Sequence, residues 1–208
     1  MSNDPCHVTA SAGIVTVLPD TQLCFFPKFL TVDETGVLFD ELRNMLPWTQ
    51  HRVRLFGREL AAPRLSCWIG DKSCRYRYSG QLHTPQPWPK VLRILRGRIE
   101  VATKARFNSV LANLYRDGAD SIAWHADDEP ELGPEPGIAS LSLGATRRFC
   151  LRHRQDPACQ AEWWLTDGSL LYMAGRTQAH YRHAVPKTRK PVGPRINLSF
   201  RWIFPSDR

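Results

Sequence analysis

The sequence predicts an α+β protein that is mainly β, in which N-terminal helices support a core of short strands, either a sandwich or a jelly roll. Helical patterns begin near Thr31 and Pro85, whereas from Phe107 onward short strand patterns broken by Gly and Asp continue to the end. A chain of 208 residues can bury one substantial core but is too short for two. We therefore expect a loose leader at 1–20, a helical supporting region at 21–106 and the jelly roll at 107–208, with 21–208 forming one domain.

Each predicted helix has its own start signal. Thr31 and Glu34 have the spacing of a capping box, apolar residues then recur at helical intervals, and Pro47 ends the pattern. The second helix is predicted over 85–100, because prolines suit a first helical turn. Its inward residues are Trp88, Val91, Leu92 and Leu95.

A hairpin-like segment and a strand-like segment lie between the helices. Residues 51–64 form two strand-like arms around Phe56 and Gly57. An aromatic tip between arginines can wedge into a base stack or pack into a local cluster, and the sequence leaves both open. Residues 74–80 alternate Tyr76 and Tyr78 with arginines, a pattern that suits base stacking and phosphate binding but also any amphipathic strand.

Composition indicates an anionic partner. The formal net charge is +8, and 22 of the 28 basic residues are Arg, whose planar fork binds phosphate and carboxylate well. Nucleic acid is the first candidate; the alternative is a basic protein whose charge only keeps it in solution.

The cysteine spacing and the hydropathy of the chain indicate in which cellular compartment the protein resides. The six cysteines include no Cys-x-x-Cys pair, and the N-terminus lacks the charged and then apolar pattern of a signal peptide. We therefore expect reduced thiols in an intracellular protein. No apolar run approaches the roughly 20 residues of a membrane helix, so no membrane span is expected.

The predicted strands at 107–115 and 195–201 each have one polar face. Asn113 and Tyr115 share a face with Leu111, and such polar groups inside a sheet need partners. The second strand has an apolar face formed by Ile196, Leu198, Phe200 and Trp202. Its other face carries Arg195, Asn197, Ser199 and Arg201. Two arginines several ångströms apart would hold a small dicarboxylate, although an edge strand facing water has the same pattern.

His125 and Asp127 are two residues apart, so on extended backbone both side chains project from one face and can reach one ion. A distant third ligand would complete the facial triad of two histidines and one carboxylate found in non-haem Fe(II) oxygenases. Alone, such a pair is more often part of a solvated turn than of a metal site.

Together, His125-x-Asp127, a later His183 and the RINLSFR segment resemble the AlkB family of Fe(II)- and 2-oxoglutarate-dependent dioxygenases. The resemblance runs from about Val53 to Phe204 and is strongest to the branch that repairs alkylated DNA bases, including the duplex-DNA homologues. It implies a double-stranded β-helix, the jelly roll of this family. The interval of twelve residues before Arg195 favours His183 over His180 as the third ligand.

The resemblance also implies a role for each matching residue. His125, Asp127 and His183 would bind iron and form the catalytic centre. The 2-oxoglutarate contacts would be Asn113, Tyr115, Arg195, Asn197, Ser199 and Arg201. Residues that meet the substrate would include Arg54, Phe56 and Gly57 in a hairpin that probes the duplex, Tyr76 and Tyr78 in an aromatic lid, and Asp128 and Glu129 beside the base.

The implied activity is oxidative demethylation of 1-methyladenine and 3-methylcytosine type lesions, using Fe(II), 2-oxoglutarate and O2 and releasing formaldehyde, succinate and CO2. Such lesions weaken pairing and so lower the cost of flipping the base. Two alternatives remain: an enzyme acting on RNA, tRNA or protein, and a non-catalytic nucleic-acid-binding module on the same fold. The expected partner is alkylated DNA, or RNA in the first alternative, bound by a monomer that is cytoplasmic in bacteria or nuclear in eukaryotes.

Overall fold

The computed structural model describes residues 13–55, 58–74, 76–78 and 81–204, and for residues 53–59 and 75–83 it describes no side chains. Phe56 and Gly57 therefore lie outside the described residues, as do the side chains of Arg54, Tyr76 and Tyr78.

Among the described residues before residue 107, the structure has seven strands and two helices. They are β1 (Ile14–Thr16), β2 (Gln22–Phe26), α1 (Val32–Met45), β3 (Arg52–Leu55), β4 (Arg58–Ala61), β5 (Leu65–Gly70), β6 (Tyr76–Tyr78), β7 (Gln81–His83) and α2 (Lys90–Thr103). The antiparallel pairs β3–β4 and β6–β7 form separate two-stranded sheets. The first lies in the predicted hairpin 51–64, and β6 lies in the predicted strand 74–80.

The remaining strands build the core. They are β8 (Ser109–Tyr115), β9 (Ile122–His125), β10 (Ile138–Gly144), β11 (Arg147–His153), β12 (Gln160–Leu165), β13 (Leu170–Ala174), β14 (Tyr181–Val185) and β15 (Arg195–Arg201). A 3-10 turn at Pro130–Leu132 follows β9, and the one-turn helix α3 (Thr177–His180) precedes β14.

Two antiparallel sheets face each other. The major sheet has the order β1-β2-β13-β10-β15-β8-β5, and the minor sheet has the order β12-β11-β14-β9. One apolar cluster joins Phe149 and Leu151 of the minor sheet to Leu171 and Met173 of the major sheet. This mainly β arrangement confirms the predicted jelly-roll class, and strands from both sides of residue 107 share the major sheet.

A second apolar cluster lies on the opposite face of the major sheet, where the helices pack. Leu42 of α1 and Leu92 and Ile99 of α2 meet Leu141 and Leu198, and all five are fully buried. The predicted capping box is present, because Thr31 accepts from the Glu34 amide while the Glu34 carboxylate accepts from the Thr31 amide.

The predicted bounds of the second helix are wrong at both ends. Residues 85–89 are not helical, since a residue before proline is pushed toward extended backbone and both Pro87 and Pro89 act in this way. The helix begins at Lys90, continues past Glu100, and ends where Lys104 adopts a left-handed φ of 58°. Trp88 precedes the helix and stacks on Phe200.

Candidate active site

Three metal-ligating side chains converge between the two sheets. His125 ends β9 and His183 lies directly opposite it in β14, with ring centroids 4.2 Å apart. Asp127 follows two residues after His125 and is 4% exposed. One ligand atom from each of the three lies within 4.8 Å of the others. The strand pairing therefore brings residues far apart in sequence to a common point.

Hydrogen bonds leave one nitrogen of His125 available. Its Nδ1 lies 2.9 Å from the Ala123 carbonyl oxygen, which only accepts, so Nδ1 carries the proton and Nε2 keeps its lone pair. Burial, followed by the nearby His125, lowers the pKa of His183 to about 3. His183 is thus suited to bind a metal in its neutral form, and His125 can present Nε2 to the same ion.

Asp127 is held as a carboxylate. Burial alone would raise its pKa, but Arg201 and the two imidazoles outweigh this effect and keep the pKa below its ordinary value. Arg201 donates from Nη2 to Oδ1 at 2.6 Å, while Oδ2 lies 3.9 Å from His183 Nε2. Gln178, on α3, accepts from the Asp127 backbone amide at 3.0 Å and so fixes the chain between the two ligands.

Beside the triad lies a cavity whose polar wall comes from β8 and β15. The residues of this wall are Asn113, Tyr115, Arg195, Asn197, Ser199 and Arg201. The strands pair in the register Arg195↔Tyr115 and Asn197↔Asn113. The predicted polar faces therefore meet in one cavity, while Ile196, Leu198 and Phe200 are buried in the core behind them. Trp202 departs from the predicted apolar face and is 40% exposed.

Arg195 is a buried cation with unused donors. It is 1% exposed, and burial lowers its pKa to about 10. Its Nη2 donates to Ser142 Oγ at 2.9 Å, and its guanidinium lies 5.2 Å from the Tyr115 ring centroid. Nε and Nη1 have no hydrogen-bond partner among the described residues. Because buried charged donors need acceptors, the free Nε–H and Nη1–H groups fit an anionic ligand.

Two further arginines, which the sequence patterns did not single out for this cavity, support it. Arg64, from the loop before β5, donates from Nε to Asn113 Oδ1 at 3.0 Å. Arg147 donates to the backbone oxygens of Asp117, Asp120 and Pro186, and its guanidinium lies 5.7 Å from the Tyr115 ring. No local signal marks either residue, since their partners are distant in sequence.

His180 is the rival for the third ligand, and it lies in a different cluster with Asp20 and His153. There His153 Nδ1 accepts from the amides of Gln155 and Asp156, so its Nε2 carries the proton and cannot bind a metal without losing it. The interval to Arg195 therefore pointed to the histidine that joins His125 and Asp127.

Asp128 and Glu129 lie outside the lining of the cavity. Asp128 is exposed and accepts from Arg154 Nη2 at 2.6 Å, and Glu129 precedes the 3-10 turn. The structure thus brings together the predicted metal and cosubstrate residues but not these two.

Comparison with known proteins decides the family. The family profile described as the 2OG-Fe(II) oxygenase superfamily matches residues 22–201. The chain belongs to this superfamily.

Human alpha-ketoglutarate-dependent dioxygenase alkB homolog 3 is 41% identical over 197 residues, which cover 90% of this chain and 68% of the relative. DNA oxidative demethylase ALKBH2 of Arabidopsis thaliana is 36% identical over 229 residues, covering 98% and 71%. Within the superfamily, the chain is therefore an AlkB-family dioxygenase.

Solved structures agree on the superfamily fold. That of OsALKBH1 superposes with a TM-score of 0.64 at 18% identity, covering 91% of this chain and all of that one. A 2OG-Fe(II) oxygenase family oxidoreductase from Burkholderia pseudomallei has a TM-score of 0.59 at 16% identity, covering 86% and 84%.

Membership of the superfamily implies Fe(II), 2-oxoglutarate and O2, and the residues present fit these groups. Two imidazoles and one carboxylate form the donor set of a non-haem Fe(II) site with open positions. The unpartnered Nε and Nη1 of Arg195 fit a carboxylate of 2-oxoglutarate. In the part of the chain that is described, no helix has the length and apolar character needed to cross a membrane.

Proposed function

We propose that this protein oxidatively removes methyl groups from alkylated bases in DNA. The main support is the buried triad of His125, Asp127 and His183 beside the buried, partly unpaired Arg195, in a chain about 40% identical to relatives named as dioxygenases and DNA oxidative demethylases. The net charge of +8 suits a polyanionic substrate.

The metal ligands in this proposal are His125, Asp127 and His183. When bound, Fe(II) and 2-oxoglutarate would supply the oxidising chemistry that hydroxylates an N-methyl group with O2, and the hydroxymethyl product then releases formaldehyde and leaves the base with its N–H. Arg201 keeps Asp127 ionised and Gln178 holds its backbone, so the carboxylate stays ready for the ion.

In this proposal, the residues that contact the cosubstrate are those of the polar wall formed by β8 and β15. Arg195 would bind the far carboxylate, because it is a buried cation with two free donors. Asn113, Tyr115, Asn197 and Ser199 would complete the cavity. Ser199 Oγ donates to Asn197 Oδ1 at 3.0 Å, and Asn197 Nδ2 donates to Ser140 Oγ at 2.8 Å. These bonds fix the side-chain amide of Asn197.

Substrate contacts are proposed from the family resemblance. Arg54, Phe56 and Gly57 would probe the duplex, Tyr76 and Tyr78 would cover the flipped base, and Asp128 and Glu129 would face it. For Asp128, this role requires it to leave Arg154 when substrate binds. We further propose that residues 21–208 fold as one domain and act as a monomer.

The decisive experiment offers the same lesion in four contexts. Oligonucleotides carrying 1-methyladenine or 3-methylcytosine, as single- and double-stranded DNA and RNA, are incubated with protein, Fe(II) and O2, with and without 2-oxoglutarate. We expect mass spectrometry to show loss of the methyl group from DNA together with succinate and formaldehyde. Turnover of RNA alone would instead support an RNA demethylase, and no turnover in any context would contradict the proposal.

A further inference from the structure

The two candidate metal histidines differ at the ring nitrogen that faces away from the metal site. His183 Nε2 lies 3.9 Å from Asp127 Oδ2 and so faces the site, which leaves Nδ1 to carry the proton. This Nδ1 is buried and meets no acceptor among the described residues. His125 Nδ1, in contrast, lies 2.9 Å from the Ala123 carbonyl oxygen. Because a metal-bound histidine is normally oriented by a hydrogen bond from its second N–H, another contact must orient His183.

A stacked aromatic ring supplies that contact. The rings of Phe149 and His183 have centroids 5.3 Å apart and planes inclined by 24°. The strand register explains the contact, because Leu151 of β11 lies directly opposite His183 of β14. Phe149 is two residues earlier on the same face of β11, so it is the diagonal neighbour of His183. Phe149 is 4% exposed and lines the cavity beside the triad.

Phe149 is itself supported from the next strand of the minor sheet. Trp163 of β12 lies directly opposite it, and the two ring centroids are 6.2 Å apart. Three aromatic rings therefore follow one another across the inner face of this sheet, from Trp163 through Phe149 to His183. The adjacent Trp164 projects from the other face of β12 and is 60% exposed.

We propose that Phe149 is a positioning residue for the metal, and that its ring, supported by Trp163, sets the plane of the His183 imidazole. Rotation of the imidazole out of this plane would force it against the Phe149 ring in a closely packed interior. The stack therefore keeps Nε2 directed toward His125 and Asp127, as a hydrogen bond from Nδ1 would do. This inference rests on the proposed function, in which His183 binds the metal.

Binding of Co(II), whose visible absorption depends on coordination geometry, tests the proposal without turnover. We expect Phe149→Leu to lower the Co(II) affinity about tenfold in calorimetry, the lower end of the loss for a residue that orients a metal ligand. Its Co(II) absorption bands should also shift, because the imidazole can then rotate. Trp163→Leu should lower the affinity about threefold, and Trp163→Phe, which keeps an aromatic ring, should restore most of it.

Trp164→Leu is the matched control, because it makes the same substitution one residue away on the exposed face of β12. It should leave the Co(II) affinity and absorption unchanged. Phe107→Leu controls for stability, since it removes a ring that is 2% exposed and packs against Phe200 in the other apolar cluster. Thermal unfolding should show a loss of stability in both Phe→Leu variants, but only Phe149→Leu should change Co(II) binding.

The positioning role is overturned if Phe149→Leu keeps the wild-type Co(II) affinity and absorption, or if Phe107→Leu changes them equally. If Phe149→Leu does not fold, the Trp163 variants decide. Wild-type affinity in Trp163→Leu, or an equal loss in Trp164→Leu, then overturns the role.

The positioning role and the proposed function fail separately. A protein that demethylates DNA, while Phe149→Leu and Trp163→Leu bind Co(II) like wild type, disproves the positioning role alone. A protein that gives the expected Co(II) affinities, but demethylates no nucleic acid, disproves the proposed demethylation alone. Absence of Co(II) binding by the wild type would contradict both.

Discussion

Arg201, which is partly buried, donates from Nη2 to Oδ1 of the buried Asp127 at 2.6 Å, and this ion pair links the cosubstrate wall to the metal triad. The arginine thus compensates a carboxylate that would otherwise be costly to bury without a metal.

We predict that Arg201→Met makes folding strongly dependent on metal. Breaking a buried ion pair leaves Asp127 uncompensated and should lower the free energy of unfolding of metal-free protein by about 3–5 kcal/mol. Mn(II), which neutralises the same carboxylate, should therefore raise the Tm of the variant more than that of wild type. Thermal unfolding with and without Mn(II) measures this difference, and equal increases would contradict the role given to Arg201.

Arg195→Met should weaken cosubstrate binding without weakening the fold. The side chain is a buried cation with two unpartnered donors, so its replacement by an apolar side chain removes a desolvation cost. Losing a charge-assisted carboxylate contact should reduce 2-oxoglutarate affinity about 100-fold. Calorimetry with Mn(II)-loaded protein measures the affinity. A large fall in Tm with unchanged affinity would show that Arg195 is structural.

Arg64→Met should raise the KM for 2-oxoglutarate about fivefold and leave kcat nearly unchanged. Arg64 Nε holds Asn113 Oδ1 at 3.0 Å, and a lost hydrogen bond of this kind costs about 1 kcal/mol. Steady-state kinetics with varied 2-oxoglutarate separates the two constants. Arg93→Met, on the exposed face of α2, is the control. A fall in kcat at unchanged KM would argue against positioning through Asn113.

Asp120 should make the free energy of unfolding depend on pH in the acidic range. Its hydrogen bond with Arg116 lowers the pKa of this carboxyl below the ordinary value of 3.8, against the effect of burial. A lowered folded-state pKa contributes stability that is present above pH 3.8 and is lost as pH falls through the folded-state value. Asp120→Asn should therefore lose about 1–3 kcal/mol at neutral pH and show a flatter decline below pH 4 in chemical denaturation. An equally steep decline in both proteins would contradict this assignment.

Alternation along single strands was the most informative sequence signal. It placed Asn113 and Tyr115 on one face of β8, and Arg195, Asn197, Ser199 and Arg201 on one face of β15, because neighbouring side chains in a strand must point to opposite sides. Local helix chemistry was equally direct at Thr31 and Glu34. Spacing made His125 and Asp127 a candidate ligand pair, and family resemblance completed the triad with His183.

Such local patterns could not predict contacts between segments that are distant in sequence. The register that puts His183 opposite His125 depends on the pairing of β14 with β9, and no local periodicity encodes it. Arg64, Arg147 and Gln178 reach the site from a loop, a strand and a short helix, each as a single polar residue. The start of α2 was misplaced because the prolines that suit a first turn also keep the preceding residues extended.

Metal titration of paired histidine variants tests the central claim most directly. Anaerobic calorimetry with Fe(II) should give one site per chain in wild type, with affinity largely lost in His183→Ala and retained in His180→Ala, whose side chain lies with Asp20 and His153. Retention of the site in His183→Ala, or its loss in His180→Ala alone, would contradict the assignment of His125, Asp127 and His183 as the metal ligands.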